Sequence, residues 1–188
     1  MAYYTQEELS KMGFKSLGDN VKISKKASLY DIHNIKIGNN SRIDDFCVIS
    51  GNLTIGKNVH ITPQCLIAGG SEGIIFENYT TIAYGVKIFT QSDDYSGATM
   101  TNSTIPKKHK NELKKKILIK EHSIIGASSI IMPGVTLNTG TAIGANSLVI
   151  KDTKAWSIYV GSPAFWMKDR SKKMLDIFKQ YKKNGSSK

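Results

Sequence analysis

Two adjacent carboxylates, Asp93 and Asp94, followed by Tyr95, open a polar stretch, DDYSGATMTNSTIPKKHKNELKKK, that runs to Lys116. A carboxylate can draw in an ammonium ion, accept a proton or orient a ring hydroxyl. At an ordinary aspartate pKa of about 3.9 it is a poor base for a hydroxyl unless burial raises it, whereas an amine, once neutral, is already nucleophilic. Asp, Ser and Gly also start turns with no chemistry attached, and that plainer reading stands beside the functional one for Asp94 and Tyr95. Four histidines can act as bases: His33, His60, His109 and His122. His60 ends the segment IGKNVH and admits both a catalytic role and an outward surface position. His122, inside IKEHSI, is expected at the surface, and His33 and His109 lie in irregular stretches.

The elements that position these residues are set by a six-residue repeat. From Ile119 the chain reads IKEHSI, IGASSI, IMPGVT, LNTGTA, IGANSL and VIKDTK, and an aliphatic residue opens every unit. The fifth place holds Ser123, Ser129, Val135, Thr141, Ser147 or Thr153, all small or β-branched. A period of six fits neither the helical spacing nor the simple alternation of a strand. It suits one short strand plus one turn, with three units closing one coil of a parallel β-helix. The openers point inward and stack; the fifth residues sit where a larger side chain would clash. Cys47 and Cys65 both occupy fifth places, which accounts for them without a disulfide or a metal.

Earlier units begin raggedly at Val21 and settle from Ile37 and Ile55, and a further coil opens at Phe76 after a short insertion at 69–73. Thr5 lies three residues before Glu8, the spacing of a capping box, and Gly13 supplies a stop, so a short N-terminal helix should cap the open end. In SKKMLDIFKQYKK, Met174, Ile177, Phe178 and Tyr181 mark one face of a final helix, and the last residues, NGSSK, are expected to fray. The expected division is a cap helix at 1–14, a β-helix at 15–164 with the loop 93–116 inserted, and a C-terminal helix and tail at 165–188. No apolar run reaches the length of a membrane span and the N-terminus lacks the apolar core of a secretion signal, so a cytoplasmic protein without stable membrane insertion is expected. The net charge of +11 and the lysines of PKKHKNELKKK raise the reading that a cationic segment binds nucleic acid or membrane. No recognition motif accompanies them, and a solvated loop, or one that draws anionic substrates towards a cleft, is expected instead.

The hexads, the long loop, the segments IIGASSIIMPGV and AIGANSLVIKD, and the GSPA turn before a basic helix resemble the hexapeptide-repeat acyltransferases. The likeness covers roughly residues 15–170 and is strongest to the galactoside and maltose O-acetyltransferases and to sugar acetyltransferases of surface-polysaccharide clusters. It implies an all-β fold, a left-handed parallel β-helix, in a homotrimer with acetyl-CoA as co-substrate in a groove between subunits. In that family a histidine at the start of the long loop takes the proton from a sugar hydroxyl. Alignment of GVKIFTQSDD puts Asp93 there, so the implied chemistry moves to N-acetylation of a nucleotide-linked amino sugar. Asp93, Asp94 and His60 are the candidate catalytic residues. Gly126, Ala127, Gly144 and Ala145 are candidates for backbone contact with pantetheine, although hexads favour small residues there in any case. Lys151, Lys168 and Arg170 match the family's phosphate ligands, while Phe165 stands where an arginine is expected; Phe165 or Trp166 can stack on adenine instead.

Two other activities are open to such a fold. A trimeric zinc hydratase needs two histidines five residues apart, a spacing absent here. A non-catalytic trimeric solenoid would need neither the loop nor the paired Gly-Ala steps. O-acetylation of a galactoside-type hydroxyl remains the alternative within the same class.

Overall fold

A computed structural model describes residues 2–185. Short strands build three parallel sheets, each strand pairing with its counterpart in the coil before and the coil after. The first sheet takes six strands, at 16–17, 35–37, 53–55, 74–76, 117–119 and 136–137. The second runs through 22–23, 42–43, 60–61, 81–82, 124–125, 142–143 and 157–160, and the third through 28–29, 48–50, 66–68, 87–89, 130–131 and 148–149. Six coils result, with Ser157–Val160 beginning a seventh, and together they form a β-solenoid.

The openers are the core. Ile61, Ile82, Ile125 and Ile143 align in register on one wall, and Ile67, Ile88, Ile131 and Val149 on the next. All eight are buried, and each isoleucine removed from water contributes ~1.5–3 kcal/mol. The fifth residues do more than fit. Ser41, Cys47, Cys65, Ser123 and Ser129 each donate to the carbonyl of a residue at the second place in the next coil: Gly56, Thr62, Ala83, Asn138 and Gly144. A buried donor there satisfies an acceptor that the ladder leaves over. Both cysteines are free thiols used in this way. The fourth place turns the corner with positive φ, at Asn40, Asn58, His122, Ser128 and Asn146 among others, which explains its run of Asn and Gly.

Helix α1, Gln6–Lys11, is closed by the expected box: Glu8 N donates to Thr5 Oγ1 at 3.1 Å and Thr5 N to Glu8 Oε2 at 2.6 Å. Its Leu9 is fully buried beneath the first coil. At the other end the chain departs from expectation. Phe165–Asp169, assigned to a helix-and-tail segment, is a strand that folds back antiparallel on Ser157–Val160 and ends the second sheet. Only Met174–Gly185, helix α2, is helical. Of the tail expected to fray, Asn184 and Gly185 belong to α2 and 186–188 lie outside the described residues. Among the described residues no helix is long and apolar enough to cross a membrane.

Candidate active site

The long loop leaves the third sheet after Lys87–Phe89 and is closed at its base by a two-residue antiparallel pairing of Gln91–Ser92 with Leu113–Lys114. Asp93 is the first residue past that closure. It lines three adjoining clefts, of about 760, 350 and 530 Å³. Its Oδ2 accepts the Asn102 N–H at 3.1 Å, and Lys110 Nζ stands 3.6 Å from Oδ1. Asp94 is held differently. Its carboxylate accepts from Ser96 N at 2.8 Å and from Thr99 Oγ1 at 3.0 Å, and these bonds, those of Ser96 first, hold its carboxyl below the usual range. That is the geometry of a turn, and it commits both Asp94 oxygens to the loop itself. Tyr95 is 91% exposed at the mouth.

Lys110 departs from the expected solvated loop, because its side chain is only 5% exposed. Nζ donates to Glu112 Oε1 at 2.7 Å, and Lys114 Nζ lies 2.9 Å from the other oxygen of Glu112. Gln91 Nε2 adds a third contact at 3.0 Å. The bonds from Lys110 and Lys114 hold the Glu112 carboxyl down at about 2. Nothing in the local sequence separates Lys110 from its exposed neighbours, because its burial depends on the hairpin bringing 91–93 and 110–114 together.

His60 sits on the second sheet, away from Asp93 within the same chain, since none of the clefts that Asp93 lines includes it. Its Nε2 meets Asp44 Oδ2 at 2.8 Å, and Asp44 also accepts from Arg42 Nε at 2.6 Å and Tyr3 Oη at 2.9 Å. Burial raises the Asp44 pKa, but the bonds from Arg42, His60 and Tyr3 outweigh it and hold the carboxyl low. An anionic Asp44 fixes the His60 tautomer with the proton on Nε2 and leaves Nδ1 able to accept. The imidazole is 39% exposed.

Gly126–Ala127 and Gly144–Ala145 do come together. They follow paired strands and stack at one corner, where Gly126 N donates to Ile143 O and Asn146 N to Ala127 O, both at 2.8 Å. Packing alone explains one of the glycines: a Cβ on Gly126 would lie 2.5 Å from Ala145 N and 2.7 Å from Gly144 C. Lys151 follows Leu148–Val149 on the third sheet, while Lys168, Phe165 and Trp166 are exposed along the last strand of the second. Arg170 is otherwise engaged, since Nη1 donates to His122 O at 2.8 Å and Gly140 O at 2.9 Å. His122 corrects the expectation of exposure. It is 4% exposed, turned in by its positive φ and covered by Phe178 of α2, with Tyr79 stacked at 5.5 Å.

The pattern described as bacterial transferase hexapeptide (six repeats) matches residues 34–69. A dTDP-4-amino-4,6-dideoxy-D-glucose acyltransferase of Escherichia coli is 43% identical over 97% of this chain and 96% of its own. The chain belongs to the hexapeptide-repeat acyltransferases. AntD, an N-acyltransferase from Bacillus cereus solved with dTDP and 3-hydroxybutyryl-CoA, superposes with a TM-score of 0.97 at 43% identity, covering 98% of each chain. A serine variant of AntD, solved with dTDP-4-amino-4,6-dideoxyglucose and coenzyme A, gives 0.96 at 44%, covering 97% of this chain and 98% of its own. The galactoside O-acetyltransferase of Lactococcus lactis is more distant, at 27% over 58% of this chain and 59% of its own.

Proposed function

We propose that this acyltransferase joins an acyl group from coenzyme A to the 4-amino group of dTDP-4-amino-4,6-dideoxyglucose. The observation that carries the reading is Asp93: a carboxylate, where hydroxyl-acylating relatives place a histidine, at the meeting of three clefts in a chain so similar to enzymes of that acceptor. In the reaction the amine nitrogen attacks the thioester carbonyl, an N–C bond forms and the C–S bond breaks. Asp93 draws in the ammonium form, which releases one proton to solvent to become the nucleophilic amine. Asp93 then takes the second proton, shed as nitrogen attacks, and returns it to the departing thiolate, so an amide, free coenzyme A and one solvent proton result.

A homotrimer completes the site. Asp93 and the Gly-Ala stack lie on different edges of one solenoid, and a neighbouring subunit brings such edges face to face. In that cleft His60 of the partner subunit assists Asp93 through its accepting Nδ1. Pantetheine runs along the 126–127 and 144–145 corner, Lys151 and Lys168 meet the phosphates, and Phe165 or Trp166 stacks on adenine. The acetyl group is the simplest donor and a 3-hydroxyacyl group the next, given the donor bound to AntD. Both substrates belong to the cytoplasm, and the product suits surface-polysaccharide assembly. The test is mass spectrometry of products from dTDP-4-amino-4,6-dideoxyglucose, and from a galactoside as second acceptor, with acetyl-CoA and 3-hydroxybutyryl-CoA in parallel. An amide with one donor supports the reading; no amide with either, or an ester formed on a galactoside, rejects it.

A further inference from the structure

The base of the loop carries four alternating charges in a row: Asp93, Lys110, Glu112 and Lys114. Lys110 is the link. Its side chain is only 5% exposed, and its ammonium end meets two carboxylates. They are not equivalent. Glu112 holds it at 2.7 Å, within the range of a charge-assisted hydrogen bond, and is itself pinned by Lys114 and Gln91 across the 91–92 and 113–114 pairing. Asp93 is 3.6 Å away, outside that range. The Lys110 charge therefore acts on Oδ1 without filling its lone pairs, while the Asn102 N–H occupies Oδ2.

We propose that Lys110 is a positioning residue for the transfer reaction: anchored by Glu112, it fixes and charge-balances Asp93 so that Oδ1 is presented, still able to accept, to the acceptor amine. This rests on the assignment of Asp93 in the proposed function. It makes the loop closure part of the active site, since the hairpin that ends the loop carries the group that aims the residue that begins it.

The experiment is steady-state kinetics with acyl-CoA and dTDP-4-amino-4,6-dideoxyglucose for Lys110→Met, Lys110→Arg, Asp93→Asn and the double variant Asp93→Asn/Lys110→Met, each checked for parent-like melting and oligomeric state. Lys110→Met should lower kcat at least tenfold with the KM for acyl-CoA within twofold of the parent. Lys110→Arg, which keeps the charge, should retain kcat within about threefold. The double variant should be no slower than Asp93→Asn alone, because Lys110 acts through Asp93. Full kcat in Lys110→Met, or a double variant whose loss is the product of the two single losses, overturns the proposal while leaving Asp93 in place. Full kcat in Asp93→Asn overturns the underlying reading instead. Should Lys110→Met fail to fold, Lys110→Arg decides: a folded variant that has lost kcat as fully as Asp93→Asn rejects the positioning role.

Discussion

Replacing Arg170 with alanine separates two accounts of that residue. As a phosphate ligand it would leave stability alone and weaken acyl-CoA binding. The structure instead ties the guanidinium to two backbone carbonyls, His122 O and Gly140 O, so it clamps the last strand to the solenoid corner beneath α2. Burial pushes its pKa down, the direction expected of a cation withdrawn from water. A hydrogen bond from a charged donor contributes ~1.5–3 kcal/mol, and the only partly buried site puts each bond at the lower end, about 3 kcal/mol for the pair. For a chain of this size that amounts to a fall in Tm of ~6–12 °C. Arg170→Ala is therefore expected to melt well below the parent by calorimetry, with the KM for acyl-CoA little changed. A parent-like Tm with a several-fold rise in KM would refute the clamp and restore the phosphate role.

Other expectations follow from the same packing. Gly126→Ala forces a Cβ against the backbone of the next coil, an overpacking cost of ~1–3 kcal/mol, whereas Gly144→Ala meets a movable Val160 methyl; calorimetry should show the first variant clearly less stable, and equal melting would contradict the packing account. Burial pushes the His122 pKa down, with Glu121 opposing and Arg170 and Lys182 adding to the fall. Below an ordinary unfolded value of about 6.5 the unfolded chain takes up a proton that the folded chain resists. Stability present above that pH is lost as pH drops towards the folded value, and His122→Phe should flatten the Tm profile measured across this window; an unchanged profile would assign the loss elsewhere.

The period of six was legible because each opener is buried by its own coil neighbours, a requirement written locally and repeated. The Thr5–Glu8 box was legible for the same reason. Size at the fifth place was read correctly, but its hydrogen bond to the next coil was not, although Ser, Thr and Cys outnumber Val there and hint at a donor. His122, Lys110 and Arg170 resisted reading because their surroundings come from segments distant in the chain: α2 over His122, the hairpin base around Lys110, and two coil carbonyls for Arg170. The strand at Phe165–Asp169 has no hexad to announce it. Its partner, Ser157–Val160, supplies the edge that makes it a strand. Asp93 was singled out by a departure from a known pattern and stays a proposal, while its contacts with Asn102 and Lys110 show only in the folded loop.

Turnover of Asp93→Asn on dTDP-4-amino-4,6-dideoxyglucose tests the central claim most directly, because asparagine keeps the shape of the side chain and removes its capacity to take a proton. With saturating acyl-CoA, amide formation followed by mass spectrometry should slow at least tenfold, ~1.4 kcal/mol in the barrier. Asp93→His belongs in the same run with a galactoside acceptor. Parent-like amide formation by the asparagine variant, or a histidine variant faster on the galactoside hydroxyl than the parent is on the amine, would contradict the assignment of Asp93 to N-acyl transfer.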